Sequence, residues 1–235
     1  MRRLRRSPHA SLATSVGEVR LDNAPSVTFL NLHTHPTSRS VRVAQILQLI
    51  DFTLFRSSRA NLLPLVLTGD LNAEPKSLEI ELLRNVLLLR DGYLDANGGS
   101  YGASCTYCRA NDLSWTFGNR VIDFTLYRSS PDIELSAHQS EINLQGNGKF
   151  GPLSDHFGVR TQLNWKVRTP VLLASDSPEL KERLDLARRT LQKANAVLVK
   201  DGSPAMLKAA GLASRLIRRL SETLPMSVDR LYRLK

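Results

Sequence analysis

Two apolar runs that end in polar residues limit the folds open to this chain. Val27 to His33 is one such run, and Leu63 to Thr68, which continues into Asp70 and Asn72, is the other. Between them, residues from about 39 to 56 place apolar side chains at spacings of three and four. The pattern predicts two buried strands joined by a helix that packs on the sheet, with the polar strand ends facing a cleft.

The rest of the central sequence predicts further helices and strands. A helix from Pro75 to about Arg90 would end at the turn residues Asp91 and Gly92. Strands are predicted at residues 120–127, 133–136 and 158–165, with a loop near 144–154. Mixed strands and helices in this order predict an α+β fold, in which a sheet is layered with helices.

The sequence beyond residue 169 predicts a pair of helices. Ser177 and Pro178 are typical of a helix start, and Gly202 is typical of its end. A second helix would begin at Pro204 and end before Pro225. We expect an antiparallel hairpin, paired through Leu184, Leu191, Leu198, Leu216 and Leu220, with Arg215, Arg218 and Arg219 outward.

The net charge of +10 is unevenly distributed along the chain. Residues 1–20 carry five basic and one acidic residue, residues 170–235 thirteen and seven, and residues 21–169 fourteen of each. A nucleic-acid groove is therefore disfavoured in the central segment, because such binding depends on neutralising phosphates. We expect the two ends of the chain to meet anionic partners, such as an anionic membrane surface.

No run of about 18 apolar residues occurs, so a membrane-spanning helix is disfavoured and any membrane contact would be peripheral. Cys105 and Cys108 have the spacing of half a zinc site or of a redox pair. Because no second such pair and no nearby pair of histidines is present, we do not expect metal or redox use. This cysteine usage is compatible with an intracellular, reducing compartment.

Polar clusters stand at the ends of four predicted strands or loops. They are Asn31 to His33, Asp70 to Asn72, Asp123, and Ser154 to His156. Carboxylates bind Mg²⁺ or orient water, amides bind phosphate oxygens, and histidines transfer protons near neutral pH. Each cluster alone is explained equally well as a capped turn or a satisfied strand end. All four together favour a site for a hard cation and a phosphodiester.

The clusters resemble signatures of the endonuclease/exonuclease/phosphatase superfamily. Residues 69–72, 121–124 and 154–156 look like its three C-terminal signatures, and residues 31–33 look like its central histidine strand. The resemblance spans about residues 26–165. It implies the C-terminal half of a DNase I-like β-sandwich layered with helices.

Within the superfamily, the chain is most similar to the neutral sphingomyelinases. The residues that carry this similarity are Arg42 to Gln45, Leu71 and Gly151 to His156. On this basis the chain divides into a basic, poorly ordered N-terminus at residues 1–25, the half domain at 26–168, and a basic helical extension at 169–235.

The resemblance also implies catalytic roles. Asp70 would position or help to deprotonate the attacking water, and Asn72 would hold the phosphate. His156 would act as general base or stabilise the transition state, and Asp123 would orient it.

Three further residues have roles by resemblance. His33 would contact the phosphate or assist the leaving oxygen, and Asp155 would lie on the side of a bound Mg²⁺. His35 also matches sphingomyelinase-like motifs, although a loop position facing solvent explains it equally well.

The chain departs from the family pattern in its first part. An N-terminal half of the family domain supplies an Asn and a Glu for Mg²⁺ far upstream of the histidine strand, but only 32 residues precede His33 here, and Glu18 is too close. Val121 stands where the family often has arginine, with Arg120 adjacent. We therefore expect a truncated sequence with an exposed apolar sheet face, weak metal binding and little or no turnover.

The leading hypothesis is a Mg²⁺-dependent phosphodiesterase that hydrolyses sphingomyelin to ceramide and phosphocholine. One alternative is a nuclease or another phosphodiesterase of the superfamily. Another is a non-catalytic remnant whose basic helices bind an anionic membrane or a partner protein.

Overall fold

The computed structural model describes residues 13–21, 24–56, 63–115, 118–146, 151–167 and 177–222. The strands are β1 Ala13–Leu21, β2 Ala24–His33, β3 Leu65–Asp70, β4 Arg90–Asp91, β5 Asp123–Arg128, β6 Ile133–Asn143 and β7 Gly158–Val167. The helices are α1 Arg39–Asp51, α2 Leu78–Val86, α3 Gly92–Ala96, α4 Pro178–Asp201 and α5 Pro204–Glu222, and a π-helical segment, Phe52–Arg56, continues α1.

Within the described residues, strands β1 to β5 form one sheet in the order β1-β2-β3-β5-β4. Strands β2 and β3 are parallel and are connected through α1, whereas the other neighbouring strands are antiparallel. Strands β6 and β7 pair with each other in a separate antiparallel sheet. The predicted α+β class is confirmed.

The two faces of the large sheet meet different layers, because successive side chains of a strand point to opposite faces. One face, with Leu65 and Leu67, packs in the main core with α1 and α2. The other face packs Val66 and Tyr127 against Ile133 of β6. The chain is therefore a β-sandwich layered with helices, as predicted. Apolar side chains on the strands remain exposed, among them Val19 at 47%, Phe29 at 37%, Trp165 at 40% and Val167 at 63%.

Serine side chains cap the starts of α1, α2 and α4. Ser38, Ser77 and Ser177 each accept a hydrogen bond from the backbone N–H three residues later, which satisfies a group that the first turn leaves unpaired. Consequently α2 begins at Leu78 rather than at the predicted Pro75. It ends at Val86, before Leu88 takes a left-handed conformation with φ of 56° and the chain enters β4.

Helices α4 and α5 form the predicted hairpin, but they do not stand apart from the domain. The leucines expected between them are buried in the same core cluster as α1 and α2. Polar contacts join the layers as well, since Asn85 of α2 donates to Thr190 of α4 at 3.0 Å and Lys193 pairs with Glu81 at 3.0 Å. The described part of the predicted extension, residues 177–222, is thus an outer layer of one domain.

The predicted poor order of residues 1–25 is wrong for residues 13–21, which form β1. This strand pairs antiparallel with β2 along its length, from Ala13 opposite His33 to Leu21 opposite Ala24. Its sequence signal is weak because Val16 alone of the described β1 side chains packs against the core as a partly buried hydrophobic residue. Residues 1–12 lie outside the described residues.

Among the described helices, none is both long enough and apolar enough to span a membrane.

Candidate active site

The pairing of three strands places His33, Asp70 and Asp123 side by side at one edge of the large sheet. His33 of β2 is opposite Asp70 of β3, and Asp70 is opposite Asp123 of β5. Paired residues of neighbouring strands point to the same face. The Nε2 atom of His33 lies 3.4 Å from Oδ2 of Asp70. Strand pairing alone therefore brings His33, Asp70 and Asp123 together.

Gly69 allows β3 to approach β2 next to this row. Its φ is 131°, and a Cβ atom at this position would lie 1.9 Å from the carbonyl oxygen of Leu32. Only a residue without a side chain fits such a conformation and such a contact. The glycine before Asp70 is thus needed for the position of the carboxylate.

A tight turn after β3 fixes the Asp70 carboxylate. The backbone N–H of Asn72 donates to Oδ1 of Asp70 at 2.8 Å, and the Asn72 side-chain amide donates to Oδ2 at 3.2 Å. The same amide donates to the carbonyl of Thr34 at 3.0 Å. Asn72 is left-handed, with φ of 47°, a conformation that asparagine tolerates well. In this geometry Asn72 orients Asp70, and its predicted contact with phosphate stays a prediction.

Asp123 and His156 form a hydrogen-bonded pair. Nδ1 of His156 is 2.8 Å from Oδ2 of Asp123, and both side chains are mostly buried. His156, two residues before β7, thus meets the first residue of β5 across a sequence separation of 33 residues. This is the contact that the predicted orientation of His156 by Asp123 requires, and the catalytic role of the pair stays a prediction.

Asp70, Asp123 and His156 form one group, in which a ligand atom of each lies within 4.8 Å of the others. Burial raises the pKa of Asp70, the hydrogen bond from Asn72 opposes this, and the charge of Asp123 raises the pKa further. The hydrogen bond to Asp123 raises the pKa of His156. His156 therefore holds its proton more tightly in this site than a histidine exposed to water does.

The chemistry of these donors fits a hard divalent cation. The carboxylates of Asp70 and Asp123 are close enough for the charge of one to oppose ionisation of the other. A cation between such groups would offset that repulsion, and carboxylate oxygens are preferred ligands of Mg²⁺. Nδ1 of His156 is already bonded to Asp123, so the carboxylates are the better candidate donors.

The other predicted residues have different surroundings. His33 lies at the outer end of the row with a side chain 66% exposed. Asp155 is exposed beside His156, and its negative charge contributes to the raised pKa of that histidine. The predicted roles of both residues stay predictions.

His35 organises the turn that leads into α1. Its Nδ1 accepts the backbone N–H groups of Thr37 and Ser38 at 3.3 and 3.1 Å, and its own N–H donates to Gln45 at 2.9 Å. His35 is therefore more than a loop residue facing solvent, because its Nδ1 accepts hydrogen bonds from the backbone.

A disulfide bond joins Cys105 and Cys108, whose Cα atoms are 5.5 Å apart. This bond is not predicted from the sequence, where the pair is assigned neither metal nor redox use. A pair in a loop, without the strand-to-helix context of a redox motif, gave no signal for this bond. The residues between the cysteines, Thr106 and Tyr107, contact the site and were also missed.

No protein-family model matches the chain, and no curated protein sequence matches it. Several solved structures resemble it. A functionally unknown conserved protein from Enterococcus faecalis has a TM-score of 0.51 and 19% identity, over 68% of this chain and 59% of that one. The structure of D. rerio TDP2 complexed with single-strand DNA product has a TM-score of 0.50 and 16% identity, over 64% and 61%.

A further similar structure is an endonuclease/exonuclease/phosphatase family protein from Bacteroides thetaiotaomicron. Its TM-score is 0.44 at 24% identity, over 64% of this chain and 55% of that one. This chain thus spans about three-fifths of the length of the first two structures. At these identities the likeness to those two structures concerns the fold.

Proposed function

We propose that this chain is a hydrolase of the endonuclease/exonuclease/phosphatase superfamily that cleaves a phosphodiester. The observation that carries the proposal is the Asp123–His156 pair beside Asp70. One ligand atom from each of these three residues lies within 4.8 Å of the other two. A carboxylate–imidazole pair beside a second carboxylate can both orient a water molecule and transfer a proton.

The Asp123–His156 pair and Asp70 would have different roles in catalysis. Asp123 occupies Nδ1 of His156, which leaves Nε2 to exchange a proton with the reacting phosphate. The raised pKa of His156 favours the protonated form, which suits stabilisation of negative charge in the transition state. Asp70, held by the backbone N–H and side-chain amide of Asn72, would orient the attacking water. Asn72 would hold the phosphate.

We further propose Mg²⁺ as the cofactor. The carboxylates of Asp70 and Asp123 would hold it, with Asp155 on the adjoining loop as the additional ligand predicted by resemblance. When bound, Mg²⁺ would polarise the phosphate oxygens and neutralise their charge. The protein residues would still have to orient the water and move the proton.

Sphingomyelin is the substrate that we propose, with ceramide and phosphocholine as products. The sphingomyelinase-like residues Arg42 and Gln45 support it, because both contact His35 and thereby fix the segment that follows His33. The balanced charge of residues 21–169 suits a zwitterionic head group better than a polyanion. His33, at the exposed end of the row, would contact the phosphate or the leaving oxygen.

The test is product formation under single-turnover conditions with Mg²⁺, with the protein in excess over sphingomyelin in mixed micelles. Little or no turnover is expected of the chain alone, and this format detects even a single slow cleavage event. Phosphocholine release should fall about 10²- to 10⁴-fold in His156→Ala. His138→Ala, which removes an exposed histidine of β6, is the matched control and should retain wild-type release.

Cleavage of an abasic-site DNA duplex, measured in parallel, tests the nuclease alternative. DNA cleavage that depends on His156, without phosphocholine release, would replace the lipid substrate with a nucleic acid. Failure to cleave either substrate, at protein excess, would contradict the enzymatic proposal and favour a non-catalytic role.

A further inference from the structure

The loop from Cys105 to Cys108 lies against the residues proposed for catalysis. Its disulfide closes a ring that includes Thr106, which is 0% exposed, and Tyr107. Cys108 is also 0% exposed, whereas Cys105 is half-buried. The covalent bond therefore restrains two side chains that the fold has placed next to the site.

Thr106 connects the two segments that carry the acid–base pair. Its hydroxyl oxygen accepts the backbone N–H groups of Ile122 and Asp123 at 3.0 and 3.2 Å. Its carbonyl accepts the N–H of Phe157, the residue after His156, at 2.7 Å. One buried threonine thus holds the backbone of both Asp123 and His156 in fixed relation.

Tyr107 contacts the imidazole directly. Its ring centroid lies 4.9 Å from that of His156, with the ring planes inclined at 39°. Two backbone hydrogen bonds to Arg120, one donated and one accepted, fix the tyrosine to the segment before β5. Its hydroxyl also accepts the N–H of Trp115 at 3.0 Å. The loop consequently limits the movement of the His156 ring as well as of its backbone.

We propose that the loop Cys105–Cys108 is the positioning element of the Asp123–His156 pair, and that its disulfide makes this position responsive to a dithiol reductant. Thr106 and Tyr107 are the positioning residues. The consequence for catalysis rests on the proposed function, but the position of the pair can be measured without turnover.

The redox step is an exchange between the disulfide and a dithiol. A thiolate of the dithiol attacks the sulfur of Cys105, the less buried of the two residues, and Cys108 leaves as a thiolate. The second thiol of the reagent then displaces Cys105, and the reagent becomes a cyclic disulfide. The two cysteines gain two electrons and two protons, and the dithiol loses them.

Amide hydrogen exchange, measured by NMR on the full chain, tests the proposal. On reduction with dithiothreitol, the amides of Ile122, Asp123 and Phe157 should exchange at least about tenfold faster, because local opening governs exchange. The ring-proton signals of His156 should lose the shift caused by the Tyr107 ring. The amide of Leu47 in α1 is the internal control and should be unchanged.

Two sets of variants separate positioning from general stability. Cys105→Ser/Cys108→Ser should match the reduced protein and show no response to dithiothreitol. Thr106→Val, which keeps shape but loses the hydroxyl, should accelerate exchange at Ile122 and Asp123, whereas Thr106→Ser should restore protection.

Two results would overturn the proposal. One is reduction that leaves the three amides and the His156 ring signals unchanged. The other is equal acceleration at Leu47, which would make the disulfide a general stabiliser of the fold. Neither result depends on turnover, so a failure of the proposed function would be recognised separately by the phosphocholine assay.

Discussion

At the scale of residues, Asp70 and His156 both bind their protons more tightly in the folded chain than in the unfolded one. Burial is the main cause for Asp70, and the bond to Asp123 is the main cause for His156. His156 therefore stabilises the fold below its unfolded pKa, and this contribution is lost as pH rises through its folded pKa. Asp70 lowers stability as pH rises above its unfolded pKa, and the cost is complete above its raised folded pKa, because ionisation is less favourable in the partly buried site.

Replacing Asp70 with Asn should raise the melting temperature at pH 7 and leave it nearly unchanged near pH 3, where the carboxylate is protonated in both states. The effect should appear in EDTA, which removes divalent cations. Asp112→Asn, at an exposed position, is the control and should show no such pH dependence. A variant that is less stable than the wild type at pH 7 would contradict the assignment of burial as the dominant cause.

Gly69→Ala should destabilise the fold by about 2 kcal/mol or more, because the added Cβ is both conformationally strained and in collision with backbone. Chemical denaturation measures this change. Gly17→Ala is the matched strand control, since no atom lies within 4 Å of the added Cβ there. Equal stability of the two variants would show that β3 can move away from Leu32.

At the scale of elements, sequence patterns predict the parts in which apolar periodicity and local turn chemistry agree. β2, α1 and β3 are such parts, and their polar ends mark His33 and Asp70. The short helix α3 was missed because Asp91, read as a turn residue, accepts the N–H groups of Tyr93 and Leu94 and thereby caps a helix start.

The Cys105–Cys108 loop could not be predicted because its contacts are made across the tertiary structure. Thr106 bonds to residues 16 and 17 positions away, and Tyr107 meets an imidazole still farther along the chain. Neither contact leaves a local pattern. The pair formed by Asp123 and His156 was accessible only through family resemblance, since their spacing has no local meaning.

Helix α4 offers a direct test of its packing on the domain. Leu191→Ala should cost about 2–5 kcal/mol, because the side chain is 0% exposed and its removal leaves a cavity. Leu186→Ala, on the same helix at a site 41% exposed, should change stability much less. Thermal denaturation followed at both helical and aromatic signals is the measurement. Loss of α4 alone, with the aromatic transition unchanged, would contradict a shared core.

At the scale of the whole molecule, α1 and α2 pack on the large sheet, and the α4–α5 hairpin packs on α1 and α2. The basic residues of the hairpin therefore lie on the outermost layer. Arg215, Arg218 and Arg219 are exposed, and Arg219 Nη1 lies 3.9 Å from Oδ1 of Asp51. A solvated basic face is sufficient to explain them. A surface for anionic lipid is the additional role that we propose, with each charge near the membrane adding about 1 kcal/mol of attraction.

Replacing Arg215, Arg218 and Arg219 with Glu should abolish binding to phosphatidylserine vesicles at low salt, because attraction is converted into repulsion. Helicity by circular dichroism should be unchanged. Lys181→Glu/Arg183→Glu/Lys200→Glu, on α4, is the control with the same change in charge. Vesicle binding that falls equally in both triple variants would indicate net charge rather than a defined surface.

The pairing of His33 with Asp70 and of Asp70 with Asp123 limits where insertions and deletions can be tolerated. Deletion of one residue inside β3 would turn its later side chains to the opposite face, so Asp70 would leave the row and apolar residues would exchange layers. Connections such as residues 97–104 carry no such constraint. Insertions and deletions in natural variants should therefore collect in the connections, while the interiors of β2, β3 and β5 diverge by substitution alone.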